Sequence, residues 1–144
     1  MPTAHEFAAA AERMCGVRWR RHGRDPAFGL DCAGIAVAAL AAIGITAQDS
    51  RDYDAGMPPP ELLWRLCREN GEEVPWTDQG EGRVALCRWS NGDDPRHLVV
   101  MLARRRIAHV DASLRRVTVV PAGWLDSRLV AVFRARGVEY AEPW

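Results

Sequence analysis

The sequence has no lysine: all nineteen of its basic residues are arginine. Schiff-base mechanisms, pyridoxal-binding lysines and phosphate-loop lysines are thereby excluded, since each needs an amine that can lose its proton or reach a phosphate. A surplus of one charge is also missing. Asp and Glu total nineteen as well, giving a formal net charge of +0, so no global field favours nucleic acid or an anionic membrane. The four cysteines, Cys15, Cys32, Cys67 and Cys87, form no Cys-x-x-Cys pair, which leaves a zinc ribbon or a thioredoxin-like motif without support. Spacing alone leaves a disulfide open, although a core of this size does not need one. No apolar stretch reaches the ~18 residues of a membrane span. The start, Met1-Pro2-Thr3-Ala4-His5-Glu6-Phe7, has no basic segment followed by an apolar run, so a chain made in the cytoplasm without a signal peptide is expected.

What remains is globular in character. The chain has 144 residues, 48% hydrophobic and 26% charged, enough to bury a core unaided, and without repeats or low-complexity tracts it reads as one domain over 1–144. Thr3 and Glu6 have capping-box spacing before an Ala-rich run, which predicts a helix over 4–15 stopped by Gly16. Residues 16–31 carry no periodicity and read as a polar, arginine-rich loop. Asp31 as N-cap and Gly44 as stop bracket a helix over 32–43, apolar nearly all round and therefore central. Leu62, Leu63, Leu66 and Cys67 predict a helix over 61–70, stopped by Gly71. Strands follow at 84–89, 98–102, 107–110, 116–120 and 129–133, with turns at 90–95 and at Arg104-Arg105. Helices first, then four or five strands joined by short turns, is an α+β plan with N-terminal helices packed on an antiparallel sheet.

Cys32 is the most informative position. At the first turn of a buried helix its sulfur lies beside unsatisfied N–H groups and the positive end of the helix dipole, an environment that favours thiolate and predicts the fastest alkylation of the four cysteines. Gly34 would leave room for a substrate backbone. The alternative reading makes Cys32 a small hydrophobe in a helix. A nucleophile needs a base. His97 opens a buried strand and His109 lies in the next one; a hairpin turning near Arg104 brings them to the same open end, as base and orienter or as metal ligands. Asp111, on the same strand face as His109, is a further candidate orienter. His5 reads as solvated, and His22 as a weaker candidate for substrate contact. The arginine clusters at 18–24 and 104–106 read as solvated loop charges, with one arginine near Cys32 available to grip a carboxylate. The six tryptophans read mostly as core.

The string Gly29-Leu30-Asp31-Cys32-Ala33-Gly34-Ile35 at a helix start, His97 opening an apolar strand, and Ile107-Ala108-His109 in the following one resemble the NlpC-type cell-wall cysteine peptidases. Residues 19–32 and the ending Trp124…Arg128-Leu129-Val130-Ala131-Val132-Phe133 look most like the branch found in phage tails and gene-transfer agents. The resemblance covers nearly the whole chain. It implies a compact papain-like fold and cleavage of amide bonds in peptidoglycan stem peptides. Position by position, Cys32 matches the nucleophile, His97 the base and His109 the third polar residue, with no metal and no organic cofactor. Ala33 stands where the family usually has Ser. Trp19 stands where many members have a Tyr whose hydroxyl reaches the site, and an indole cannot accept a hydrogen bond. The partners implied are a stem peptide and phage-like tail proteins, with no nucleic acid and no membrane insertion; the protein would act at the cell wall as part of a phage-like particle. Two other readings stay open: a catalytically silent tail or assembly protein with the same fold, and acyl transfer through the same thioester.

Overall fold

Thr3 starts the first helix by a reciprocal cap: its hydroxyl accepts from the Glu6 N–H, and the Glu6 carboxylate accepts from the Thr3 N–H. The structure is a computed structural model that describes residues 1–54 and 56–144. Helix α1 (Ala4–Glu12) is shorter than the sequence suggests. The Met14 and Cys15 N–H groups bond back only three residues, to Ala11 and Glu12, so the last turn tightens before Gly16 at φ +92°. Residues 16–31 are not irregular throughout. They carry a two-residue hairpin, β1 (Arg24–Asp25) with β2 (Gly29–Leu30), and Trp19 bridges Leu30. Pairings this short leave no alternation to read.

Helix α2 (Cys32–Ala42) begins at its N-cap Asp31 and stops before Gly44, as expected. Helix α3 (Pro60–Asn70) uses a proline in its first turn, where a missing N–H costs nothing. Then come β3 (Gly71–Val74), β4 (Arg83–Cys87), β5 (His97–Leu102), β6 (Arg106–Asp111), β7 (Arg116–Pro121), a 3₁₀ turn over Ala122–Leu125, and β8 (Leu129–Ala135). They form one six-stranded sheet in the order β3-β8-β4-β5-β6-β7, every neighbouring pair antiparallel. The sheet thus has one strand more than the four or five expected. Strand β3 escapes the sequence because Glu72 and Glu73 on this edge are exposed, and Gly71 serves both as helix stop and as first strand residue.

All six residues of β5 are buried. Leu98, Val100 and Leu102 pack with Phe7, Ala11, Ile35 and Ala39 of the helices. Val99 and Met101 face the other way, with Cys87, Ile107 and Leu125. Each such side chain contributes about 1.5–3 kcal/mol when fully buried, so this strand is among the best anchored parts of the fold. The β5–β6 hairpin turns through Arg104 and Arg105, both at positive φ (62° and 54°), the twist that a tight hairpin requires. Its register, Val100 opposite Ala108, sets His97 and His109 on one face, one step apart along the diagonal.

Candidate active site

Cys32 occupies the first position of α2, and its N–H is one of those a helix start leaves without a carbonyl partner. Asp31 caps the helix from full burial: Oδ1 accepts from the Gly34 N–H at 2.8 Å and from Arg24 Nη1 at 2.8 Å, and the Tyr53 hydroxyl donates to Oδ2. Arg24 reaches on to Asp49 at 2.8 Å, the Tyr53 hydroxyl at 3.1 Å and the Ser50 carbonyl at 3.2 Å. One guanidinium therefore ties the start of α2 to the segment 49–53. The glycine expected to make room for substrate serves this junction instead. A Cβ on Gly34 would sit 2.0 Å from the Gly23 carbonyl oxygen, so Gly34 lets the loop carrying Arg24 approach the helix start.

The thiol environment differs from the sequence expectation. Cys32 is buried, and its Sγ contacts the Arg96 carbonyl at 3.9 Å. Burial first, then the charge of Asp31, pushes the thiol up to about 12; the Leu98 and Ala33 N–H groups and Arg24 pull the other way without prevailing. The field of the helix start alone does not make a thiolate here.

His97 and His109 meet as the hairpin predicts. His97 Nε2 and His109 Nδ1 are hydrogen bonded at 2.9 Å, and both rings are buried. Burial, then the neighbouring His109, holds His97 well below the usual imidazole range. Burial likewise lowers His109 to about 4. The remaining nitrogens, His97 Nδ1 and His109 Nε2, are buried without a protein partner. Asp111 makes no hydrogen bond to either histidine among the described residues; its Oδ1 accepts from the Ser113 N–H and hydroxyl and the Leu114 N–H.

Cys32 and His97 line one cleft of about 240 Å³, with Trp19, Met57 and Trp89 as apolar walls and Asp111 and Arg115 as its charged residues. Reading the tryptophans as core misses this. Trp89 lies over His97 with ring centroids 4.0 Å apart at 31°, and Trp124 lies 4.5 Å from His109. Arg128 covers Trp124 at 4.4 Å and donates to the Trp89 and Trp124 carbonyls. A signal for Trp89 existed: Cys87 pairs with His97 across the β4–β5 hairpin, so the residue two further on stays on that face and covers the ring. Trp19 was marked only by the resemblance, at the position of a site Tyr; Arg24, Tyr53 and Arg115 gave no such signal. His22 bonds the Tyr53 carbonyl and packs edge-on against that ring, away from the cleft, and His5 pairs with Glu81 at the surface. Among the described residues, no three His, Cys, Asp or Glu side chains gather where they could hold a metal ion.

No family model matches the chain, and no curated protein matches it. Solved structures do. The NlpC/p60 domain of the peptidoglycan hydrolase SagA matches with a TM-score of 0.63 at 16% identity, over 91% of this chain and 97% of that one. An NlpC/p60 family protein from Bacillus cereus gives 0.69 at 20% identity, over 93% of this chain and 40% of the other. RipD from Mycobacterium tuberculosis, a non-catalytic NlpC/p60 domain protein adapted to peptidoglycan binding, gives 0.63 at 13% identity, over 91% and 95%. At these identities the likeness is one of fold. The chain has the α+β fold of NlpC/p60 domains.

Proposed function

We propose that this chain is a cysteine endopeptidase that hydrolyses amide bonds in peptidoglycan stem peptides, with Cys32 as nucleophile, His97 as base and His109 as the residue that orients it. The observation that carries the reading is the buried His97–His109 hydrogen bond at the wall of the cleft that Cys32 lines. For His97 Nδ1 to take the thiol proton, Nε2 must carry the ring proton and donate it to His109 Nδ1. His109 then holds its own proton on Nε2. With the thiol pushed up and the imidazole pushed down, the resting pair is neutral. The proton passes to His97 as sulfur attacks the amide carbonyl, and the Cys32 N–H at the helix start contributes to the oxyanion site. Protonated His97 delivers that proton to the departing amine. It then activates the water that hydrolyses the thioester, which restores thiol and neutral imidazole.

The finer placement is that of a phage-tail or gene-transfer-agent domain, acting as one unit over 1–144 and carried to the wall by a phage-like particle; it rests on residues 19–32 and 124–133. Attachment to such a particle would supply the local concentration that a wall-binding domain otherwise gives. A silent, wall-binding role is the second reading. It is favoured by the contact of Cys32 Sγ with the Arg96 carbonyl and by the non-catalytic neighbour of the same fold. Incubation with purified peptidoglycan and mass spectrometry of the soluble fragments distinguishes them. New peptide fragments from the parent protein and none from Cys32→Ala support the peptidase. Co-sedimentation with the wall and no fragments from either protein supports the silent reading.

A further inference from the structure

Among the described residues lining the cleft, Arg115 is the single arginine, and His97 is the other basic side chain. Its guanidinium carbon lies 4.5 Å from the Trp19 ring centroid. The residue is exposed, and its side chain makes no ion pair with a described residue. Asp111, the anion of the cleft, keeps its charge but makes no ion pair with Arg115; its Oδ1 accepts from the Ser113 N–H and hydroxyl and the Leu114 N–H in the turn it closes. The backbone beneath Arg115 is held on both sides: its N–H donates to the Asp111 carbonyl at 2.8 Å, and its carbonyl accepts the Trp19 N–H at 2.8 Å. Its φ of +54° is one that a side-chain-bearing residue adopts only when its surroundings impose it.

Arg115 is thus a cation presented on a fixed turn, resting on an aromatic platform, in a cleft whose other walls are mainly apolar and whose one anion, Asp111, is held in its own turn. A planar guanidinium over an indole keeps its N–H donors for a planar acceptor, and a carboxylate matches that fork with two parallel bonds. A carboxamide offers one oxygen and no charge. The single cation and neutral overall charge suit a carboxylate better than a phosphate polymer.

We infer that Arg115, seated on Trp19, is the specificity residue that recognises a substrate carboxylate, so that the cleft selects peptides with a free carboxylate near the scissile amide over the same peptides carrying a carboxamide there. This rests on the peptide-cleaving reading above, and it gives a place in the cleft to Trp19, which has no hydroxyl to offer.

The test uses the Cys32→Ala protein, in which binding is read without turnover. The stem tripeptide L-Ala-γ-D-Glu-diaminopimelate and its singly amidated forms are titrated by calorimetry. One amidated form should bind about tenfold or more weakly than the parent peptide. Adding Arg115→Gln should weaken binding of the acid form alone until the two are equal, and Arg115→Lys should recover part of the difference. Equal binding of acid and amides by the Arg115 protein, equal weakening of both by Arg115→Gln, or no binding of any form would overturn the inference. Turnover of the same peptides by the parent protein separates the two levels. A carboxylate preference without cleavage removes the peptidase and keeps the site; cleavage without preference keeps the peptidase and removes the role of Arg115.

Discussion

His97 and His109 share one hydrogen bond, Nε2 to Nδ1 at 2.9 Å, and it leaves each ring one buried nitrogen without a protein partner. The two side chains look alike in the sequence but differ in position. His97 lines the cleft beside Cys32, whereas His109 lies behind it against Trp124. His97→Ala should therefore reduce turnover by about 10²–10⁴-fold, the range for a lost acid–base group. His109→Asn keeps a polar partner for Nε2 and should leave measurable activity. The check is kcat on purified stem peptides for both variants, after circular dichroism shows each to be folded. More activity in His97→Ala than in His109→Asn would reverse the roles.

The same pair predicts a pH dependence of stability. Both rings have folded values below the ordinary 6.5, so on acidification the unfolded chain binds protons that the folded chain refuses. Stability should be full above about pH 6.5 and fall as the pH drops towards 4, by up to about 2.7 kcal/mol per pH unit for two such groups. Glu12, Asp78 and Asp111 are held low, and their losses come below about pH 4.5. His5 shifts the opposite way but is exposed beside Glu81 and adds little. Urea unfolding from pH 7.5 to 4.5 checks this, with the His97→Gln/His109→Gln protein as reference. An equally steep loss in the reference would assign the effect to other groups.

Legibility in the sequence followed the length and regularity of each element. Helix α2 carries a capping aspartate, an apolar run and a terminal glycine, and β5 is apolar from Leu98 to Leu102, so both could be read with correct ends to within a residue. The histidine pair was legible too, because a two-residue period and one tight turn at Arg104-Arg105 fix which side chains share a face. Strand β3 hides because its pairing is supplied by distant partners such as Arg134 and Phe133, and the β1–β2 hairpin because two residues on each side are too few to show an alternation. The buried links of Asp31 to Arg24 and Tyr53 join segments of different elements through single polar contacts, for which no periodicity exists. The thiol's surroundings are legible only in part: the helix start can be read from the sequence, whereas the burial of Cys32, which with the Asp31 charge pushes the thiol up, is set by the folded chain.

Cysteine labelling tests that revision. Cys15 is exposed and Cys32, Cys67 and Cys87 are buried, so iodoacetamide should label Cys15 first, against the order expected from the helix start alone. In a Cys15→Ser background Cys32 should react before Cys87, which is fully buried, and before Cys67, which lacks the N–H groups that favour the Cys32 thiolate. Its rate should still be climbing at pH 10, because the thiol is pushed up to about 12. Mass spectrometry of tryptic peptides at several pH values reads both results. A plateau near pH 8 would mean that substrate-free Cys32 forms thiolate readily and that the helix-start field outweighs burial.

The contacts of Arg24 with Asp31 make a prediction in which stability and reactivity move separately. Asp31 is fully buried and Arg24 nearly so, with side-chain exposures of 1% and 12%. Removing the guanidinium in Arg24→Met leaves the carboxylate with only the Gly34 N–H and the Tyr53 hydroxyl, and an uncompensated buried charge costs about 3–5 kcal/mol. Tyr53→Phe removes one donor and should cost about 1–3 kcal/mol. Because the two side chains also bond each other at 3.1 Å, the double variant should depart from the sum of the singles. Reactivity should follow charge. Asp31 raises the Cys32 thiol and Arg24 lowers it, so alkylation of Cys32 at pH 8 should be fastest in Asp31→Asn, intermediate in the parent and slowest in Arg24→Met. Asparagine still caps the helix, so its thiol should gain reactivity even though Arg24 has lost its partner and stability falls. Urea midpoints and labelling rates on the same five proteins, all in the Cys15→Ser background, decide it. If labelling simply tracks instability, with Arg24→Met fastest, local opening rather than the charge of Asp31 controls the thiol.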